Sequence, residues 1–155
     1  MEIFTFGYAK QRYILFTEKI MTTDIKLPRK LASKLLHFAQ ISPDAEICGL
    51  VSSKNGVPMR CYPIDNVAEQ PHNRFLLDSK QHITAMKKMR EQGEELFAIY
   101  HSHPNAPALP SALDLESATY ENALYLIISL NTKGILELRA FHIENQSATE
   151  IRVTL

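Results

Sequence analysis

The sequence has little of what several special classes of protein require. It carries only two cysteines, Cys48 and Cys61, which is too few for a disulfide framework and favours a reducing, cytoplasmic setting. It has no uninterrupted apolar run of about 18 residues, so no membrane-spanning helix is expected. Its 17 basic and 17 acidic residues cancel, which argues against nucleic-acid binding through a basic face and against a polybasic membrane anchor.

What the chain does contain is typical of a globular domain. Hydrophobic residues make up 45% and charged residues 22% of its 155 residues, an ordinary balance. A chain of this length buries roughly 68–70% of its unfolded surface without help from a disulfide or metal. We therefore predict one domain over residues 23–155. Residues 1–22 have neither an uninterrupted apolar core nor a small-residue cleavage site, so we predict an extension of undefined role rather than a signal peptide.

The hydrophobic pattern predicts both helices and strands. Pro28 opens a helix whose apolar residues recur at helical spacing up to Ala39. Asn55-Gly56 predicts a hairpin turn between strands 47–53 and 57–64. The elements predicted after it are a short strand 74–77, a helix from Asp78 to Gln92 with Ile83, Met86 and Met89 facing the core, a strand 95–103, a helix from Ser111 to about Glu121, a strand 123–130, a turn at Lys133-Gly134, and strands 135–143 and 148–155. This order predicts an α/β fold with a mixed sheet.

Two neighbouring histidines are the clearest candidates for chemistry. The sequence has no phosphate-binding loop, dinucleotide fingerprint, serine-hydrolase elbow, Cys-x-x-Cys or His-Glu-x-x-His motif. His101 and His103 stand two residues apart near the end of an apolar strand, so their imidazoles face the same side. That arrangement suits one Zn²⁺ ion. The alternative is two polar residues at a strand edge, because short motifs often match by chance.

Asp114 is the candidate third ligand. The prolines after the strand force a turn, so the next helix can begin beside His101 and His103, with Asp114 in its first turn. The alternative is a capping box formed by Ser111 and Asp114, and both interpretations can hold together. Two imidazoles and one carboxylate leave a fourth zinc position open, as in catalytic sites where the metal lowers the pKa of water toward ~7.

Such a site needs a base that is not a ligand, and Glu46 is the candidate. It directly precedes an apolar run, an unusual place for a carboxylate. The alternative is a solvated glutamate at a helix–strand junction. Ser111 would lie close to the metal and could donate a hydrogen bond to a developing oxyanion. Cys48 is predicted to fill the core rather than to act as a ligand or nucleophile.

Three segments together resemble a known signature. They are Glu46-x-Cys48-Gly49-Leu50, His101-Ser102-His103-Pro104 and Pro110-Ser111-x-x-Asp114. In this order they resemble the JAMM (MPN-plus) metallopeptidases, and Asn66 followed by Arg74-Phe75-x-x-Asp78 resembles the small stand-alone prokaryotic members. The resemblance covers about residues 25–145. It implies a cytidine-deaminase-like α/β fold, with a mixed, largely antiparallel sheet flanked by helices, and one Zn²⁺ ion.

The resemblance also implies a role for each residue. His101, His103 and Asp114 correspond to the zinc ligands. Glu46 corresponds to the general acid/base that takes a proton from water activated by zinc and passes it to the leaving amine. Ser111 corresponds to the residue that steadies the tetrahedral intermediate.

The implied substrate is a protein with a flexible C-terminal tail. Members of the family that the chain resembles cleave peptide or isopeptide bonds beside such tails on ubiquitin-like proteins, and small bacterial relatives act on sulfur-carrier proteins. We predict that hairpin 57–65 and loop 104–110 form the walls of the tail groove, with no nucleic-acid or membrane partner. The oligomeric state stays open. The alternative is a non-catalytic MPN-type scaffold, a class that usually lacks one or more of the five residues.

Overall fold

The computed structural model describes residues 24–131 and 136–155. The predicted extension at residues 1–22 and the predicted turn at Lys133-Gly134 both lie outside the described residues. The boundary between extension and domain therefore stays a prediction.

Seven strands and three helices form the regular structure of the described residues. The elements are β1 (Asp24–Lys26), α1 (Arg29–Gln40), β2 (Cys48–Lys54), β3 (Val57–Ile64), α2 (Ser79–Glu91), β4 (Glu95–His103), α3 (Ala112–Ser117), β5 (Leu124–Ser129), β6 (Glu137–Glu144) and β7 (Ser147–Thr154). The strands form one sheet in the order β1-β7-β6-β5-β4-β2-β3. β1 with β7 and β4 with β5 are parallel, and the other neighbouring pairs are antiparallel. The predicted α/β class and the mixed, largely antiparallel sheet are confirmed.

The sheet lies between two apolar layers. On one face, α1 packs against alternate residues of the central strands, among them Ala98 and Tyr100 of β4. On the other face, α2 packs through Ala85 and Met89 against residues that include Ile99. Because successive strand residues point to opposite faces, His101 and His103 share the face of Ile99. Among the described residues, no helix is long and apolar enough to cross a membrane.

Local signals set several element ends as predicted. The hairpin turn between β2 and β3 has Asn55 at φ 52° and Gly56 at φ 78°, the left-handed conformations that this dipeptide tolerates. The Asp78 side chain accepts a 2.9 Å hydrogen bond from the Gln81 amide and so caps α2. Gly93, at φ 69°, follows the end of that helix.

The prediction for the helix after Ser111 was wrong in length. α3 ends at Ser117 rather than near Glu121, and Ala118 is already extended. The amide of Tyr120 then donates to the Tyr125 hydroxyl at 3.0 Å. This hydrogen bond to a residue of β5 replaces the helical bond that Tyr120 would donate in a longer α3.

Two further predictions were also wrong. Ile83 does not face the core and is 70% exposed. The buried residues of α2 are Ala85 and Met89, four residues apart, and Ile83, two residues before Ala85, lies on the opposite side of the helix. Residues 74–77 form no strand of the sheet, because Leu77 makes only an isolated bridge with Asn66.

Candidate metal centre

His101 and His103 lie at the end of β4, and both are buried. Pairing on both sides fixes the strand here, since His101 lies opposite Cys48 of β2 and beside Ile127 of β5. The two Nε2 atoms are 3.0 Å apart. The strand backbone therefore places both imidazoles on the same face of the sheet, as expected.

Asp114 reaches the same point from the first turn of α3. Its Oδ2 lies 3.2 Å from the Nε2 atom of each histidine. The same oxygen accepts a 2.8 Å hydrogen bond from the Ser111 amide, and Ser111 Oγ accepts one of 3.1 Å from the Asp114 amide. The capping box and the ligand position thus occur together, and the cap holds the carboxylate toward the imidazoles.

The donor set fits a zinc ion. Ligand atoms at about 2.0–2.1 Å in a tetrahedral arrangement lie about 3.3 Å from one another, close to the 3.0–3.2 Å separations here. The His103 Nδ1 atom is 2.7 Å from the Pro107 carbonyl oxygen, so Nδ1 must carry the proton that it donates. In the neutral ring, Nε2 then presents a lone pair to the Asp114 carboxylate, and a cation between these atoms removes their repulsion.

The electrostatics of the three residues favour a bound cation. Burial lowers the pKa of His101, which keeps that ring neutral. Burial acts against ionisation of Asp114, yet in the metal-free protein the hydrogen bonds that His101 and His103 donate when their Nε2 atoms carry a proton hold its pKa well below the usual range. Burial also opposes a charge on His103, but the Asp114 carboxylate raises its pKa overall. The negative charge of Asp114, which raises the pKa of His103, also favours a metal ion at the Nε2 atom.

Glu46 lies near His103 and Asp114 but is not one of the three residues whose candidate ligand atoms converge. It is 5% exposed, and Oε2 has no hydrogen-bond partner among the described residues. Burial raises its pKa from 4.5 to about 7, with His103 acting in the opposite direction. The carboxyl is therefore buried with one oxygen unpaired, which is an environment typical of a general base.

Sequence reasoning gave no role to two neighbours of these residues. The Phe75 ring stacks on His101, with centroids 4.4 Å apart and planes at 22°. Ser102 Oγ accepts a 2.9 Å hydrogen bond from the Ile47 amide, which fixes the chain just after Glu46. The available signal for Ser102 was its place between the two histidines at the end of a buried strand, whereas Phe75 was marked only by the resemblance of Arg74-Phe75-x-x-Asp78.

The Cys48 side chain is buried and packs beside the candidate site. Its Sγ donates to the Ile64 carbonyl oxygen at 3.3 Å. Burial, followed by the nearby Glu46 carboxylate, raises its pKa to about 12. The side chain therefore stays a neutral thiol, unsuited to act as a nucleophile.

Comparison with known proteins matches most of the chain to one protein family. Residues 28–143 match the family model described as prokaryotic homologs of the JAB domain. The chain is 32% identical over 89 residues to the desampylase of Haloferax volcanii, a match that covers 56% of this chain and 64% of that protein. It is 33% identical over 116 residues to the CysO-cysteine peptidase of Mycobacterium tuberculosis, which covers 74% and 78% of the two chains. The solution structure of a protein from Desulfitobacterium hafniense superposes with a TM-score of 0.74 at 32% identity, over 83% of this chain and 90% of that one.

The fold is that of the JAB/MPN class of domains, shared with a JAB1/MPN domain protein from Archaeoglobus fulgidus at a TM-score of 0.55 and 17% identity, over 86% of this chain and 99% of that one. Within that class, the chain belongs to the family of prokaryotic homologs of the JAB domain. The resemblance seen in the sequence is thereby confirmed at the level of the family.

Proposed function

We propose that the chain is a zinc-dependent metallopeptidase that hydrolyses a peptide or isopeptide bond at the C-terminal tail of a ubiquitin-like or sulfur-carrier protein. The observation that carries the proposal is one buried point where His101, His103 and Asp114 meet within 3.2 Å, with the Glu46 carboxyl and its unpaired Oε2 atom nearby. The names of the relatives support the substrate class, since one is a desampylase and another a CysO-cysteine peptidase.

In this proposal, His101, His103 and Asp114 hold one Zn²⁺ ion. When bound, the ion lowers the pKa of a coordinated water to about 7 and polarises the carbonyl of the bond to be cut. The Pro107 carbonyl oxygen, 2.7 Å from His103 Nδ1, keeps the neutral ring in the tautomer that offers Nε2 to the metal.

Glu46 takes the proton of the attacking water and returns it to the leaving nitrogen. A carboxyl whose pKa is about 7 can accept and release a proton near neutral pH, and such transfer typically contributes about 10²–10⁴-fold to the rate. Ser111 Oγ accepts its hydrogen bond from the Asp114 amide, which leaves the hydroxyl hydrogen to be donated. We assign that hydrogen to the oxyanion of the tetrahedral intermediate.

The substrate tail would lie extended between hairpin 57–65 and loop 104–110. β3 is an edge strand of the sheet, so its outer backbone groups can pair with an added strand. The loop is held on its inner side, where Ser129 Oγ donates to the Ala106 carbonyl oxygen at 2.7 Å. The balanced charge of the chain gives no electrostatic reason for a nucleic-acid partner. A cytoplasmic location stays a prediction.

The test is a cleavage assay on two substrates with the zinc-loaded protein. One is a carrier protein with a single amino acid beyond its Gly-Gly terminus, and the other is an isopeptide conjugate of the same carrier, both followed by mass spectrometry. Glu46→Gln should keep zinc and lose most of the turnover, while Glu69→Gln removes an exposed carboxylate and should leave turnover unchanged. If the zinc-loaded parent cuts neither substrate, the proposal is wrong. A non-catalytic scaffold would instead purify without stoichiometric zinc.

A further inference from the structure

The side chain of Asn66, in the loop after β3, makes four hydrogen bonds to the backbone. Its Nδ2 donates to the carbonyl oxygens of Glu46 and Arg74, each at 3.0 Å. Its Oδ1 accepts from the amides of Ala68 and Leu76, each also at 3.0 Å. Two donated and two accepted bonds are the full capacity of a side-chain amide. The orientation of this amide is therefore fixed, and no part of it is left for a ligand.

Three of the four partners lie in the same loop as Asn66, and the fourth, Glu46, comes from a distant part of the chain. Glu46 precedes β2 and lies outside any helix or strand, so no ladder of the sheet holds it. Its two recorded backbone bonds both lead to the loop that contains Asn66, because its amide donates to the Pro71 carbonyl oxygen at 2.7 Å and its carbonyl accepts from Asn66. The position of the Glu46 backbone thus depends on this loop on one side and on the hydrogen bonds between Ile47 and Ser102 on the other.

Two of the other three partners of Asn66 are chain neighbours of Phe75. Arg74 and Leu76, which Asn66 binds directly, are the residues on either side of that phenylalanine. The Phe75 ring is the one that stacks on His101 at 4.4 Å. A single amide therefore connects the backbone of Glu46 to the segment whose ring lies against His101.

We infer that Asn66 is a positioning residue, which holds Glu46 and Phe75 in a fixed relation to His101 without itself touching substrate or metal. The inference rests on the proposed function, since it assigns Asn66 a part in that reaction. Its surroundings do not support a role confined to stabilising the hydrophobic core, because no residue from 66 to 77 is fully buried. Loss of the amide should therefore disturb the site more than the core.

The variant that tests this is Asn66→Asp. It preserves the shape and an accepting oxygen toward Ala68 and Leu76 but removes both donors, including the one to the Glu46 carbonyl. Asn73→Asp makes the same chemical change in the same loop, at an exposed side chain with no recorded hydrogen bond among the described residues. We expect Asn66→Asp to lower kcat on the order of ten- to a hundredfold, with KM changed by less than about threefold and zinc content unchanged. The control should match the parent.

A second measurement does not need the reaction. Amide hydrogen exchange of the zinc-loaded proteins, followed by NMR, reports how firmly the Glu46 amide is held against Pro71. In Asn66→Asp, this amide should exchange about tenfold faster, while the Ala68 amide, whose acceptor oxygen remains, should stay protected. Asn73→Asp should exchange as the parent does.

The outcomes separate this inference from the proposed function. If the parent cleaves the conjugate and Asn66→Asp retains both its kcat and its slow exchange at Glu46, the positioning role is refuted and the function stands. If the parent cleaves nothing, yet exchange at Glu46 rises only in Asn66→Asp, the function is refuted and the restraint on Glu46 stands. Loss of zinc or of the folded state in Asn66→Asp, or an equal loss of kcat in Asn73→Asp, would also overturn the inference.

Discussion

The buried carboxyl of Glu46 should make the stability of the metal-free protein depend on pH. Its pKa rises from 4.5 to about 7 on folding, chiefly through burial. Between these two values, the folded state binds more protons than the unfolded state, so the free energy of unfolding falls as pH rises. Glu46→Gln has no proton to exchange at this position. The variant should therefore gain stability relative to the parent as pH increases from about 4.5 to about 7.

The size of the effect follows from the same values. The rise spans about 2.5 pH units at about 1.36 kcal/mol each, which gives a ceiling of about 3.4 kcal/mol. Solvent near the site screens part of this interaction, so we expect about 1.5–2 kcal/mol. The difference between variant and parent should be smallest near pH 4.5 and should level off above pH 7.

The assay is denaturant unfolding of chelator-treated parent, Glu46→Gln and Glu69→Gln at pH 5 and pH 8. Glu69 is exposed, and its variant controls for the loss of one negative charge. A stability difference between Glu46→Gln and the parent that is the same at both pH values would refute the reasoning. So would an equal pH dependence in the control.

Three further substitutions test the site and its support. Asp114→Ala should abolish stoichiometric zinc binding, because it removes one of three ligands, and metal analysis showing full occupancy would exclude Asp114 from the ligand set. Gly49→Ala should lower the free energy of unfolding by about 1–3 kcal/mol, since the added Cβ would lie 2.5 Å from the Tyr100 hydroxyl oxygen; an unchanged denaturation midpoint would contradict this. Tyr62→Phe removes the 2.7 Å hydrogen bond to the buried carboxylate of Glu94 and should cost about 1–3 kcal/mol, whereas a loss below about 0.5 kcal/mol would show that the remaining partners of that carboxylate suffice.

Elements with strong local signals could be predicted from the sequence. Asn55-Gly56 can adopt the turn conformation on its own, and Asp78 needs only the first turn of α2 to act as a cap. The predictions were wrong where contacts between residues far apart in the sequence determine the structure. The end of α3 involves a hydrogen bond to β5, and the exposure of Ile83 depends on which face of α2 meets the sheet.

The candidate site divides in the same way. His101 and His103 share a face because they are two residues apart on a strand, and Asp114 lies three residues after the N-cap of α3, so the residue types and their spacing were sufficient to propose them as ligands, beside the alternatives of strand-edge residues and a capping box. The sequence also marked Glu46, but as one of two alternatives, since burial of a junction residue cannot be inferred from its neighbours in the chain.

The sequence by itself determined the residue types at the site, the strand that pairs the two histidines and the cap that begins the last helix. Tertiary structure decided that Oδ2 of Asp114 lies 3.2 Å from both imidazoles, that Glu46 is buried with one oxygen unpaired, and that Asn66 links its backbone to the segment of Phe75. The physical reason is the distance along the chain over which each kind of interaction acts. Backbone periodicity and capping act within a few residues, whereas desolvation and the convergence of side chains depend on segments brought together only when the sheet forms.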